Sequence, residues 1–172
     1  MNYNIGRGEV DHLSLDPPKE ASHWFLLDIA MGHEHGRSLS GPPPADVFAS
    51  IPRCLQLEAI ADSLASHRVH ESASINSALN ACRGWRYAVT GVHGSKRVGA
   101  MWARQQSRCP SVVQEAEQRR HGGPPLDAGA VIELTAIVME AVQTAIRQER
   151  GTRNTGLKKV TDRQTAVEPN KR

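Results

Sequence analysis

Apolar residues recur every three or four positions along most of the chain, which is the spacing of the buried face of a helix. The clearest stripe lies between Ser74 and Thr90. Its apolar members are Ile75, Ala78, Leu79, Cys82 and Val89. Gly91 follows it, and glycine often ends a helix because it adopts the left-handed conformation without a steric penalty. The pattern therefore predicts a helix over residues 74–90.

Five further stretches show the same period. They predict helices over residues 20–35, from Pro52 to about residue 67, after Ser95, from Pro110 to the Gly122-Gly123 pair, and over residues 126–150. Ser95 is a good N-cap residue because its hydroxyl oxygen accepts a hydrogen bond from a free backbone N–H. The buried face of the helix after Ser95 is expected to consist of Val98, Met101 and Trp102.

The predicted fold class is all-α, a bundle of five to six helices joined by short loops. No stretch alternates with the period of two that a half-buried strand requires, and no hairpin turn lies between β-branched runs. Residues 1–19 contain four helix breakers and are expected to be an irregular remnant of an interdomain linker. Residues 20–150 form the helical domain. Residues 151–172 have few apolar anchors and are expected to be a disordered basic tail.

The net charge of +3 is concentrated at the end of the chain. Residues 147–172 contain eight basic and three acidic side chains, a balance of +5, which leaves −2 for residues 1–146. Basic residues in a tail without interleaved aromatic residues argue against a nucleic-acid partner. No signal peptide precedes the domain and no continuous run of about 18 apolar residues occurs, so we expect a cytoplasmic protein without a membrane contact.

One short segment, Gly94-Ser95-Lys96, has chemistry that suits an anion. At a helix start the free N–H groups and the helix dipole attract negative charge, and Lys96 adds a positive one. It is not a phosphate-binding P-loop, because serine precedes lysine and no strand precedes the segment. An exposed lysine in a first turn is more often a solvated surface residue, so both interpretations of Lys96 stay open.

The carboxylates needed for metal-dependent nucleotide transfer do not follow this segment. To hold magnesium, a nucleotidyltransferase needs two acidic residues at positions i and i+2, about ten residues after its Gly-Ser turn. The next acids here are Glu115 and Glu117, which point apart on a helix. His33 and His35 are likewise two positions apart and cannot share an ion on a helix. No metal site is predicted for this chain.

Two blocks of sequence occur together in the order and spacing of a known family. One joins the helix at residues 21–36 to Leu39-Ser40-Gly41-Pro42-Pro43-Pro44 and Ile51-Pro52-Arg53. The other runs from Asn76 to Ala103 and contains Cys82-Arg83-Gly84-Trp85-Arg86-Tyr87 and Ser95-Lys96-Arg97. Over residues 15–122 the chain resembles the C-terminal helical domain of the aminoglycoside adenylyltransferases that modify streptomycin and spectinomycin.

The resemblance implies a role in AMP transfer from ATP to a hydroxyl of an aminoglycoside-like small molecule. In that family a separate N-terminal nucleotidyltransferase domain holds ATP and magnesium and supplies the general base. Lys96 and Ser95 match the positions that contact the ATP phosphates. Glu71, Asn76 and Trp85 match the side that binds the acceptor substrate. The resemblance thus predicts a truncated or split adenylyltransferase that is inactive alone, holds no cofactor itself and needs the nucleotidyltransferase domain as partner.

Two departures from the family pattern concern the acceptor. Drug-modifying members place several acidic side chains before the central helix, whereas Glu71 is the only acid in residues 71–76. Arg119, Arg120 and His121 stand where the family has a tyrosine. Because this chain contains no complete catalytic constellation, the alternative hypothesis is a non-catalytic helical module that binds a ligand or a protein.

Overall fold

A computed structural model describes the backbone of residues 2–4, 12–14 and 21–165 and the side chains of residues 21–152. Within these residues the chain folds into seven helices, which confirms the all-α class. They are α1 (Ser22–His35), α2 (Pro44–Val47), α3 (Arg53–His70), α4 (Ile75–Thr90), α5 (Lys96–Ala103), α6 (Val112–Gln118) and α7 (Ala128–Thr165). The helix beyond the predicted six is α2, a single turn that the sequence pattern did not predict as a helix.

The beginning of the chain contains a pair of short strands that the sequence did not predict. β1 (Asn2–Asn4) and β2 (His12–Ser14) pair antiparallel, with Tyr3 opposite Leu13. A strand of three residues is too short to display period-two alternation, which is why the pattern missed it. The other residues of the predicted irregular segment lie outside the described residues.

Helix α4 is the centre of the domain and packs against α3, α5, α6 and α7. Small residues on α4, among them Ala78 and Ala81, are fully buried and let the neighbouring helices approach closely. Large aliphatic side chains from the outer helices fill the space around α4. The most completely buried of these are Leu57, Val112, Val113, Leu134, Val138 and Val142.

The predicted boundaries of the central helix are confirmed by its caps. Ser74 precedes α4, and its hydroxyl oxygen accepts a hydrogen bond from the N–H of Asn76 at 3.1 Å. Gly91 follows α4 with a φ of 71°, the left-handed conformation that favours glycine. Asp127 caps α7 in the same manner as Ser74, because its carboxylate accepts from the N–H of Ala130 at 2.8 Å.

The last helix is longer than predicted. It continues to Thr165 and not only to about Arg150, so the helical boundary is corrected by about four turns. Gly151 did not end it, because a glycine inside a helix costs only about 1 kcal/mol and no proline follows until Pro169. The predicted disorder of the tail remains a prediction for residues 166–172, which lie outside the described residues.

Part of α7, Ala128–Thr152, is long and apolar enough to cross a membrane by length and composition alone. The apolar stripe of α7 packs into the core of the domain, where Leu134, Val138 and Val142 are completely buried. The core helix of a globular domain has the same composition as such a span, so this helix carries no argument for a membrane.

The buried face predicted for α5 is wrong in part. Val98 and Met101 are 42% and 48% exposed, whereas Gly99, Ala100 and Ala103 are buried. Helix α5 packs on α4 through these small residues, and this turns its larger apolar side chains outward. Val89, predicted to face the core from α4, is exposed as well. The domain therefore presents apolar side chains of α5 and of the end of α4 to solvent.

Candidate functional site

Lys96 and Asn76 meet at one point of the surface, although 20 positions separate them in the sequence. Lys96 is the first residue of α5 and Asn76 lies in the first turn of α4. The ammonium group of Lys96 donates a hydrogen bond to Oδ1 of Asn76. The structure thus brings together one residue predicted to contact phosphate and one predicted to contact the acceptor.

The position of Lys96 is fixed by the way α5 begins. The Oγ atom of Ser95 accepts a hydrogen bond from the N–H of Val98 at 3.2 Å, which confirms Ser95 as the N-cap. Arg86 on α4 donates to the carbonyl oxygens of Val92 and His93 at 2.7 and 2.8 Å and so anchors the preceding loop. As the N-cap, Ser95 fixes the start of α5 at Lys96, and its own contact with a phosphate remains a prediction.

Close contact between the two helices sets the distance of Lys96 from α4. A Cβ atom at Gly99 would lie 2.8 Å from the backbone N and Cα of Arg83. Only glycine permits this approach, because backbone atoms in a packed helix cannot move aside. Gly99 therefore decides how near Lys96 comes to the residues of α4.

Arg83 is a neighbouring basic residue that the sequence pattern did not single out; it lines a separate pocket with Asn80 and His93 and acts on Lys96 through its charge. Its guanidinium makes no hydrogen bond or ion pair with the described residues, and burial lowers its pKa, partly offset by the charge of Asp28. The pKa of Lys96 is also lowered, first by desolvation and then by repulsion from Arg83. The position of Arg83 could have been predicted from the spacing along α4, because Asn76, Asn80 and Arg83 share one helix face at i, i+4 and i+7.

Glu71 lies beside this group without lining it. Its carboxylate accepts a hydrogen bond from Ser77 Oγ at 3.3 Å and lies 3.4 Å from Nδ1 of the buried His67. Its negative charge partly offsets the lowering of the Lys96 pKa. The only acid of the predicted acceptor segment is thus held by protein groups and acts on Lys96 through its charge.

A cleft of about 450 Å³ opens beside Lys96 between the start of α4 and the loop after α6. We call it the basic cleft, because its ionisable lining residues within the described part of the chain are Lys96, Arg119 and Arg120. The remaining lining residues are Ala73, Ser74, Ile75, Asn76, Leu79, Gly122, Gly123 and Pro125. Its volume is within the range of about 300–1,000 Å³ that small-molecule sites occupy.

Trp85 lies away from the basic cleft. It is 6% exposed and packs edge-on against Trp102, with 5.7 Å between the ring centroids. It borders a separate groove of about 500 Å³ between α4 and α7, together with Arg108 and Glu140. The structure therefore does not bring Trp85 together with the other predicted acceptor residues, and packing is its observed role.

The residues of this site offer no cage for magnesium. Throughout the part of the chain whose side chains are described, no three His, Cys, Asp or Glu residues lie close enough together to hold a metal ion. The basic cleft supplies cations only, which suit the phosphates of a nucleotide and not its metal.

The comparison with known families agrees with this geometry. The family model described as "Aminoglycoside adenylyltransferase, C-terminal domain" matches residues 46–139. The match contains α3 to α6, the first part of α7 and every residue of the basic cleft, whereas α1 lies outside it. None of the curated protein sequences matches the chain. Since the family model covers more than half of its 172 residues, the chain belongs to the family of aminoglycoside adenylyltransferase C-terminal domains.

Proposed function

We propose that this domain forms one wall of an adenylyltransferase site and binds the phosphates of ATP through Lys96 and Arg83. The observation that carries the proposal is the hydrogen bond of Lys96 to Asn76, within range of the charge of Arg83 and within the segment that the family model matches. The acceptor is a hydroxyl-bearing small molecule of the aminoglycoside type, a sugar-like ring held beside Asn76.

The chemistry of AMP transfer explains why this domain would contribute positive charge to its side of the site. The acceptor hydroxyl oxygen forms a bond to the α-phosphorus of ATP, and the bond from that phosphorus to the bridging oxygen breaks. Pyrophosphate leaves with the bonding electrons, and the hydroxyl proton passes to a base. In this proposal Lys96 and Arg83 stabilise the negative charge that develops on the pyrophosphate.

The other wall comes from a nucleotidyltransferase domain. That domain supplies the base and the acids that hold magnesium, which neutralises phosphate charge when bound. The described residues contain no such acid cluster. We propose that the 172-residue chain transfers no AMP by itself and acts in the cytoplasm with that domain, to which it presents the exposed Val98 and Met101.

Replacement of Lys96 by alanine tests the nucleotide part of the proposal. We expect Lys96→Ala to weaken the binding of ATP–magnesium about tenfold, because one charge-assisted hydrogen bond to phosphate is lost. The measurement is isothermal titration of the purified chain at low ionic strength. The matched control is Arg97→Ala, which removes the same charge from the next, exposed residue. Equal affinities of wild type and Lys96→Ala would contradict the proposal.

A non-catalytic binding module is the second candidate function. The observation that favours it is the same pair of exposed apolar residues on α5, which suits a protein partner without requiring any catalysis. To distinguish the two functions, the chain is mixed with the nucleotidyltransferase domain of a family member, an acceptor and ATP labelled at the α-phosphate. Transfer of the label to an acceptor only in the mixture supports the adenylyltransferase. Binding of the domain without transfer supports the module.

A further inference from the structure

The ammonium group of Lys96 is held by a neutral side chain. Oδ1 of Asn76 accepts a hydrogen bond from Nζ of Lys96, and both residues line the basic cleft. Within the part of the chain whose side chains are described, this ammonium group makes no other hydrogen bond and no ion pair. A lysine ammonium has three N–H donors, and Asn76 uses one of them, so two are free to reach a ligand in the cleft.

The backbone fixes the two ends of this hydrogen bond independently. The N–H of Asn76 donates to Oγ of Ser74 at 3.1 Å, so the first turn of α4 is held by its cap. On the other side, Ser95 caps the start of α5, and the close approach of α5 to α4 at Gly99 sets the position of Lys96. Neither side chain therefore depends on the other for the place of its backbone.

The chemical nature of the partner matters, because an amide oxygen orients a lysine without cancelling its charge. A carboxylate in the place of this amide would form an ion pair with Lys96 and would repel a phosphate. Glu71, whose charge acts on Lys96, accepts from Ser77 Oγ at 3.3 Å and lies 3.4 Å from Nδ1 of His67. Glu71 is not among the described residues that line the cleft, so the charge of Lys96 is oriented there and not neutralised by an adjacent acid.

Prior orientation favours binding. A long, flexible lysine side chain loses more rotamer freedom than most when it is immobilised on a ligand. A hydrogen bond that restricts the side chain before the ligand arrives reduces this loss on binding, which is the general effect of preorganisation.

From this geometry we infer that Asn76 is a positioning residue of the nucleotide side: its amide oxygen holds the Lys96 ammonium at the cleft, where the two free donors meet the phosphates of ATP. The inference rests on the proposed function, because it concerns the nucleotide part of that site. It assigns Asn76 a part in ATP binding, whereas the family resemblance predicts a contact with the acceptor.

Isothermal titration of the full chain with ATP–magnesium, in the absence of any acceptor, tests this inference. We expect Asn76→Ala to weaken binding about threefold to fivefold, because Lys96 loses its orientation. Asn76→Asp keeps the shape of the side chain but pairs with the ammonium, so we expect a loss of more than about tenfold. The matched controls are Gln114→Ala and Gln114→Glu, which change an exposed amide on α6 outside the cleft and should bind as wild type does.

The Lys96→Ala background separates positioning from direct contact. If Asn76 acts through Lys96, adding Asn76→Ala to Lys96→Ala should leave the affinity for ATP–magnesium unchanged, so the two losses are not additive. The same loss in both backgrounds would overturn the inference, because Asn76 would then act on the nucleotide or on the fold without Lys96.

Nitrogen-15 NMR of the lysine ammonium groups observes the contact without any nucleotide. We expect the Lys96 ammonium signal to exchange slowly with water in wild type and to be lost in Asn76→Ala. A signal that is absent in wild type, or that Asn76→Ala leaves unchanged, would overturn the inference.

The two measurements together distinguish failure of the inference from failure of the proposed function. If Lys96→Ala weakens the binding of ATP–magnesium and Asn76→Ala does not, the inference fails and the proposed function stands. If wild type does not bind ATP–magnesium while its Lys96 signal is lost in Asn76→Ala, the proposed function fails together with the nucleotide assignment. In that case the positioning of Lys96 by Asn76 stands.

Discussion

Acidification from about pH 7.5 to about pH 4.5 is expected to lower the free energy of unfolding by 2–3 kcal/mol through His93 alone. The ring of His93 is 6% exposed and stacks on Tyr87 with 4.1 Å between the centroids. Its Nε2 lies 2.5 Å from Oε1 of Gln56. Protonation would place a charge in this packed position between the loop before α5 and the core.

The sign of the effect follows from the direction of the pKa shift. Burial first, and then repulsion from Arg83, His35 and Arg86, lower the pKa of His93 from 6.5 to about 4. A Glu34 oxygen at 4.0 Å favours the charged form but does not outweigh these causes. Between these pH values the unfolded chain binds the proton more tightly, so stability is lost as the pH falls from 6.5 toward 4.

Urea unfolding of wild type and His93→Gln at several pH values measures this contribution. The glutamine keeps a donor for Gln56 but does not titrate, so the variant should show a much flatter dependence on pH. Some dependence remains, because burial also lowers the pKa of His23 and of His67. His70→Gln, at an exposed position, should keep the wild-type slope. A wild-type slope in His93→Gln would disprove the assignment.

The substitution Gly99→Ala is expected to destabilise the domain by about 2 kcal/mol, although alanine forms helices better than glycine. The added methyl group would lie 2.8 Å from two backbone atoms of Arg83 and 3.1 Å from the carbonyl carbon of Cys82. Backbone atoms inside α4 cannot rotate away as a side chain would, so α5 must move outward. The displacement carries Lys96 away from Asn76, and we expect weaker binding of ATP–magnesium as well.

The matched control for this substitution is Gly151→Ala in α7. Among the residues whose side chains are described, nothing lies within 4 Å of a Cβ atom there, so we expect the helix preference of alanine to dominate. We expect a gain in stability of about 0.5–1 kcal/mol. Thermal unfolding followed by circular dichroism compares the two variants with wild type. If Gly99→Ala melts at or above the wild-type temperature, the close contact of α5 with α4 is not as described.

Most helices could be predicted from the sequence, because the residues that define a helix and its ends are close together along the chain. The caps Ser74 and Ser95 and the stop at Gly91 define helix ends through bonds within a few residues. The prediction for α5 failed where a local rule was insufficient. Its most apolar residues, Val98 and Met101, face outward because Gly99 gives a closer fit to the backbone of α4. Periodicity reports hydrophobicity and does not report how near a neighbouring helix can come.

The sequence by itself determined the helical class, the start of α5 at Ser95 and Lys96 as an anion-binding candidate, because these depend on neighbours along the chain. Only the tertiary structure decided which side chains form one site. Lys96 and Asn76 form a hydrogen bond, and Arg120 lines the same cleft. Arg83 acts on Lys96 through its charge, and Trp85 lines a different groove. The reason is physical: a cleft is made by residues far apart in sequence, and their distances are set by helix packing.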